Sequence, residues 1–360
     1  MVRRASHPWV VGTVLLLLGS LGLPLESSAT SVRGSASVSK STERLNPTRV
    51  EQSSRRSRSS KARKARARWA RLARLRAERA RAQLLEAATP RYKLDASGTL
   101  VPDVRAAAAI IYNPETGDVV WEENSQNKRS IASITKVMTA AVVLEDSPDL
   151  TRKVIIQRSD VYRANHTYLR SRDHVTIDDL LHLALIASDN AAARALARTS
   201  AEGMDGFIAR MNEKALELGL ESTSYADPSG LDPENISSAY DMARLIAFAA
   251  SDERIASVMR KAHHTVRTNR RTISIHSTNQ LVMKGDVDVR GGKTGFISKA
   301  GYCLATLLRL PQTGQQFAVV VLGARSNVGR FMETRHLFNW VTNKAQEVFT
   351  SAAEPELQPQ

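Results

Sequence analysis

Cysteine is nearly absent: Cys303 is the only one in 360 residues, which excludes an intrachain disulfide and leaves the fold to be held by an apolar core. Its setting, Gly301-Tyr302-Cys303-Leu304-Ala305, suits a buried structural thiol rather than a nucleophile. No apolar run reaches the ~20 residues of a membrane span; the run from Trp9 to Leu18 is short, and Gly and Pro follow it. No serine sits in a Gly-x-Ser-x-Gly elbow, which removes the Ser-His-Asp hydrolases built on that turn. Histidine or cysteine pairs at helical ligand spacing are missing as well. His166, His174, His182, His263, His264, His276 and His336 therefore read as surface or core residues, and neither a metal nor another cofactor is expected. Internal repeats are absent.

What the chain does have in excess is positive charge, and its placement is uneven. The formal net charge is +15. Residues 1–30 hold two basic and one acidic residue, 31–90 hold 17 and four, and 91–360 hold 32 and 31, so 13 of the 15 excess charges fall in one short segment. Arg3 and Arg4, the apolar run and the small residues Ser27, Ser28 and Ala29 have the layout of a secretory signal peptide over residues 1–29. Export is the expectation, to the periplasm if the source is bacterial.

Residues 30–90 form a basic Ser/Arg/Ala-rich linker. Through Ser60 its composition predicts disorder; Lys61 to Leu85 favours helix, with Trp69, Leu72 and Leu75 as a sparse apolar stripe. Such a segment suits an anionic membrane surface or an acidic wall polymer, or serves only as a solvated linker; export disfavours nucleic acid.

From residue 91 the pattern becomes globular. Arg105 to Tyr112 and Val119 to Trp121 predict strands of a hairpin around the turn cluster Asn113 to Asp118. Helical periodicity follows at Ile131 to Val142, through 174–200 with a break at Ser188-Asp189-Asn190, at Met204 to Leu218, and at Tyr240 to Ala250. Strand patterns then recur at Thr265 to Ile275, around Val289 and Lys293, at Gly301 to Leu310 and at Phe317 to Leu322, before a last helix from Phe331 to Phe349. This order predicts one α+β domain with an antiparallel sheet over residues 91–350 and a tail at 351–360.

The chemistry concentrates in three short elements. Ser133 and Lys136 are three apart in Ser133-Ile134-Thr135-Lys136, so a helix places them on one face, close enough for the amine to take the hydroxyl proton. Ser125 and Lys128 share that spacing, but Asn124, Gln126, Asn127 and Arg129 give them no apolar period. Ser188-Asp189-Asn190 breaks two apolar helices, and Lys293-Thr294-Gly295 follows 105 residues later. Ser277-Thr278-Asn279 imitates the second element, so the ordered triple carries the weight.

Ser133 needs a base to become a nucleophile, and Lys136 serves only as a neutral amine, which desolvation or a nearby cation such as Lys293 promotes. Ser188 suits proton relay to a leaving amine, and Asn190 suits orienting either a substrate amide or Lys136. The Ser133 backbone N–H at a helix start favours a developing oxyanion.

In this order the elements match the signature shared by class A β-lactamases and penicillin-binding proteins. The chain resembles the low-molecular-mass penicillin-binding proteins, serine DD-peptidases of family S11; Tyr112 to Gly117, Asp227 to Leu231, Tyr240 to Ala243 and Gly292 to Phe296 fit the same family. The resemblance implies a β-lactamase/transpeptidase-like α+β fold, an antiparallel sheet flanked by helices with a helical subdomain. It implies an acyl-enzyme on Ser133, Lys136 as base, Ser188 as relay, and an oxyanion hole from the N–H groups of Ser133 and Phe296. It further implies that Lys293 and Thr294, with Gly295 beside them, hold a substrate carboxylate. Arg330 is a second candidate for that task, a surface arginine being the alternative. Peptidoglycan peptides are the implied substrates and β-lactams the implied inhibitors.

The short C-terminal part resembles the D-alanyl-D-alanine endopeptidase branch, with a carboxypeptidase as alternative. A β-lactamase would need a placed glutamate, for which Glu234 is a faint candidate. An inactive wall-binding module would have no use for Ser133, Lys136, Ser188, Asn190 and Lys293 together.

Overall fold

The computed structural model describes residues 49–353; the expected signal peptide, residues 30–48 of the linker and residues 354–360 of the tail lie outside the described residues. The described residues divide into two units, one ending at Ala67 and one starting at Arg68. Helix α1 (Arg49–Ala88) begins well before the Lys61 expected from composition. From Arg63 onward it carries basic side chains on all sides and leaves Trp69, Leu72 and Leu75 in solvent.

A small hairpin, β1 (Tyr92–Leu94) with β2 (Leu100–Pro102), precedes the central hairpin β3 (Ala108–Tyr112) and β4 (Val119–Glu123). Strand β5 (Arg129–Ser130) leads into a 3-10 turn at Ala132–Thr135 and helix α2 (Lys136–Glu145). Then come β6 (Lys153–Ile155), α3 (Arg158–Val161), β7 (His174–Thr176), α4 (Ile177–Ile186), α5 (Asn190–Arg198) and α6 (Gly203–Glu217). Strand β8 (Ile236–Ser237) and helices α7 (Ala239–Ser251) and α8 (Glu253–Met259) lead to the hairpin β9 (His263–Arg267) and β10 (Thr272–His276). The chain closes with α9 (Gln280–Lys284), β11 (Val289–Ile297), β12 (Gly301–Arg309), β13 (Gln316–Ala324) and α10 (Asn327–Ala353).

Five strands form one antiparallel sheet in the order β11-β12-β13-β3-β4. Its inner strands are apolar on both faces because both are covered. Ala108, Ile110, Ala318, Val320 and Leu322 enter one core, with α2 and α7, while Ala109, Ile111, Phe317, Val319 and Val321 enter the other, with α10. Period-two alternation thus feeds two layers of helix rather than one core and one wet face. The architecture is the expected α+β one, with α2, α4, α5 and α6 as the helical subdomain. The β9–β10 hairpin stays outside the main sheet and packs on α4.

Helix α2 is apolar nearly all round, which is the pattern of a central buried helix, and Lys136 to Val142 are all buried in it. Its entry is stapled: β5 pairs with β8, and Ile131 N–H donates to Asn235 O at 3.1 Å.

Candidate active site

Ser133 does not lie on regular α-helix. Residues Ala132–Thr135 are 3-10, where positions three apart nearly eclipse, so Ser133 stands directly over Lys136. The turn is tight because two backbone segments press on it. A Cβ on Gly230 would fall 2.0 Å from Ala132 O, and one on Gly295 2.7 Å from Ile131 O, so only glycine fits at either place. Ala132 itself takes φ +49°, a left-handed conformation that costs energy and occurs where surroundings enforce it.

Lys136 has no solvent exposure. Its Nζ donates to Asn190 Oδ1 at 2.6 Å and to Ser229 O at 2.5 Å, and lies 3.0 Å from Ser133 Oγ. Two carbonyl acceptors occupy the two N–H groups of a neutral amine and leave its lone pair toward the Ser133 hydroxyl. Burial lowers Lys136 to about 7; the Asp227 and Asp189 carboxylates oppose this and Arg194 adds to it. Of the two causes expected, desolvation or a nearby cation such as Lys293, desolvation is the main one. Lys293, also buried, is held well below the usual lysine range, first by burial and then by Lys136 and Arg330.

Ser188 sits between α4 and α5 at φ +60°, and Lys293 Nζ donates to its Oγ at 2.8 Å. Asp189 caps α5 by accepting from Ala192 N–H at 2.9 Å, and takes Tyr168 N–H and Thr167 Oγ1–H on its other oxygen. Asn190, expected to orient either a substrate amide or Lys136, lines the cavity and has both amide ends engaged by the protein. Its Oδ1 takes Lys136, and its Nδ2 donates to Ala164 O at 2.8 Å. In this geometry it orients the lysine.

These groups open on a cavity of about 640 Å³. Ser133, Ser188, Thr294, Gly295, Phe296 and Arg330 line it. Lys293 lies behind that wall, with 1% exposure, and also donates to Thr294 O at 2.8 Å. Phe296 is half exposed and stacks on Tyr302, ring centroids 4.3 Å apart. Arg330 is not a surface arginine; at 6% exposure it donates to Gly295 O and Cys303 O at 2.9 and 3.0 Å, pinning two strands to α10. Burial lowers it to about 10. Sequence reasoning missed Ser229 O as a lysine acceptor, and it missed Asn165, His166 and Thr278 on the cavity wall. The turn Asp227-Pro228-Ser229-Gly230 was the available signal for the first: Asp227 accepts from Ser229 Oγ and Gly230 N–H and so aims the Ser229 carbonyl.

Asp178, His182 and His264 bring three ligand-type atoms within 4.8 Å of one another. The two imidazoles are stacked at 3.9 Å and 21°, so their in-plane lone pairs do not converge, and Lys261 Nζ stands 2.7 Å from His182 Nε2. That arrangement packs two imidazoles between a carboxylate and an amine.

A family model described as D-alanyl-D-alanine carboxypeptidase, peptidase S11, matches residues 95–326. The chain belongs to that family, and it is a serine DD-peptidase. The D-alanyl-D-alanine endopeptidase of Escherichia coli K12 is 32% identical over 256 residues, 70% of this chain and 82% of that protein. The same bacterium's D-alanyl-D-alanine carboxypeptidase DacC is 32% identical over 253 residues, 66% of this chain and 62% of that protein. The crystal structure of the Streptomyces K15 DD-transpeptidase matches with a TM-score of 0.62 at 28% identity, covering 66% of this chain and 97% of that one. Among the described residues no helix is long and apolar enough to cross a membrane.

Proposed function

We propose that the chain is an exported D-alanyl-D-alanine endopeptidase that hydrolyses peptide cross-links of peptidoglycan through a Ser133 acyl-enzyme. The observation that carries the chemistry is the buried Lys136 amine, held by two carbonyls and 3.0 Å from Ser133 Oγ. The choice of cross-links is supported by the similarity to the protein named D-alanyl-D-alanine endopeptidase in E. coli, 32% identical over 256 residues. The family's own description favours a second reading, removal of terminal D-alanine.

In the acylation step Ser133 Oγ attacks the D-alanyl carbonyl carbon while Lys136 Nζ takes the hydroxyl proton. The N–H groups of Ser133 and Phe296 receive the oxyanion. The C–N bond then breaks; Ser188, bonded to Lys293, gives its hydroxyl proton to the departing amine and takes back the one that Lys136 removed from Ser133, which leaves Lys136 neutral again. In the second step water attacks the ester carbonyl while Lys136 takes its proton; the bond from the carbonyl carbon to Ser133 Oγ breaks, Lys136 returns that proton to Oγ, and the D-alanyl carboxylic acid leaves. Thr294 and Arg330, with Lys293 behind the wall, form the end of the cavity that takes a substrate carboxylate, and a β-lactam acylates the same serine.

Residues 1–29 act as the export signal and 91–350 as the catalytic domain. The segment 30–90 holds an anionic wall polymer or membrane surface. The periplasm is the expected compartment. Digestion of purified muropeptide dimers and monomers, with Ser133→Ala as control, tests the reading. Dimer cleavage lost in the variant supports it; cleavage of monomers alone overturns the endopeptidase assignment in favour of the carboxypeptidase one.

A further inference from the structure

The tripeptide Ser277-Thr278-Asn279, an imitation of the relay motif by sequence, lies against the cavity wall and has its own arrangement. Ser277 N–H donates to Ala262 O, and Asn279 Oδ1 caps α9 by accepting Leu281 N–H at 3.0 Å. Thr278 N–H donates to Ile186 O at 3.0 Å, fastening the residue to the end of α4, two positions before Ser188. Its hydroxyl is bound to a site residue: Thr278 Oγ1 lies 2.6 Å from Thr294 Oγ1, and Thr278 lines the cavity. Among the described residues the only other partner of that hydroxyl is Ile186 O at 3.4 Å, long for an O–H···O bond.

We propose that Thr278 is a positioning residue for the substrate carboxylate: its hydroxyl donates to Thr294 Oγ1, holds that oxygen on the cavity side, and leaves the Thr294 proton for the anion. Threonine is β-branched, so Thr294 chooses between presenting its oxygen or its methyl toward position 278. A hydroxyl at 278 selects the oxygen. A chain of two hydroxyls ending on an anion is also charge-assisted, each bond polarising the next. The inference rests on the reading that Lys293 and Thr294 receive a carboxylate.

The test compares the rate at which Ser133 is acylated by benzylpenicillin and by its methyl ester, which lacks the anion, followed by intact-protein mass spectrometry. The wild-type protein is expected to react faster with the free acid. Thr278→Val is expected to lose roughly tenfold on the acid while staying within about twofold on the ester, and Thr278→Ser to restore the acid rate. The acid-to-ester ratio does not depend on how much protein is folded, and Thr278→Ala provides the same ratio if the valine variant is insoluble. An unchanged ratio in Thr278→Val and Thr278→Ala overturns the assignment of Thr278 and leaves the carboxylate reading standing. A wild-type protein that reacts equally with both compounds overturns that reading, and the inference with it.

Discussion

Lys136 accepts a proton from Ser133 only when it is itself neutral, and burial lowers it to about 7. Below that value the ammonium has no lone pair. Acylation by penicillin is therefore expected to climb about tenfold per pH unit up to pH 7 and to level off above it; a rate that is flat between about pH 5 and 8 contradicts the assignment. The same burial has a stability signature of definite sign. The unfolded chain keeps this amine protonated up to its usual ~10.4, so the unfolded state binds more protons between about 7 and that value. The contribution of Lys136 thus makes the protein more stable as pH rises through that window, and Lys136→Met flattens that part of the melting-temperature profile. Gly230 is the other residue with a sharp expectation. It takes φ +76°, and an added Cβ would meet Ala132 O at 2.0 Å, so Gly230→Ala must push the 227–231 loop away from Ser133. A loss of about 2–4 kcal/mol in thermal or denaturant unfolding is expected, with at least tenfold slower penicillin labelling.

Among the elements, the join between α4 and α5 positions more of the site than any other. Asp189 caps α5 and, from its second oxygen, ties down Thr167 and Tyr168, so one carboxylate sets both Ser188 and the loop that carries Asn165 and His166. Asp189→Asn turns an acceptor toward Tyr168 N–H into a donor; a cost of about 1–3 kcal/mol in thermal denaturation is expected, with slower acylation at Ser133. The sequence announces this join clearly, because polar Ser188-Asp189-Asn190 interrupts two apolar periods. It announces the 3-10 turn less well. Ile134, Val137 and Met138 recur at helical spacing, yet Ala132–Thr135 is tightened by Gly230 and Gly295, partners 97 and 162 residues downstream, which periodicity cannot register. Thr278 was hidden for a similar reason. A hydroxyl in a common tripeptide gains meaning only when β11 brings Thr294 within 2.6 Å of it. Two-residue strands such as β5 and β8 lie below what any alternation can show, although their pairing holds the entry to Ser133.

At the scale of the whole molecule, charge and catalysis occupy different stretches. Of the +15 net charge, 13 units fall in residues 31–90, whereas 91–360 is nearly balanced. Replacing the arginines of residues 63–81 by glutamine is expected to weaken binding to isolated cell-wall sacculi, and to weaken it steeply with added salt in the parent chain. Cleavage of soluble muropeptide dimers should stay unchanged; an equal loss on both substrates contradicts a tethering role. The central claim concerns one atom, Ser133 Oγ, activated by one buried amine. Intact-mass analysis after brief exposure to penicillin at neutral pH tests it most directly. The account predicts a single adduct that peptide mapping places on Ser133, absent from Ser133→Ala and nearly absent from Lys136→Met. An adduct that persists in Ser133→Ala, or maps to another residue, contradicts it.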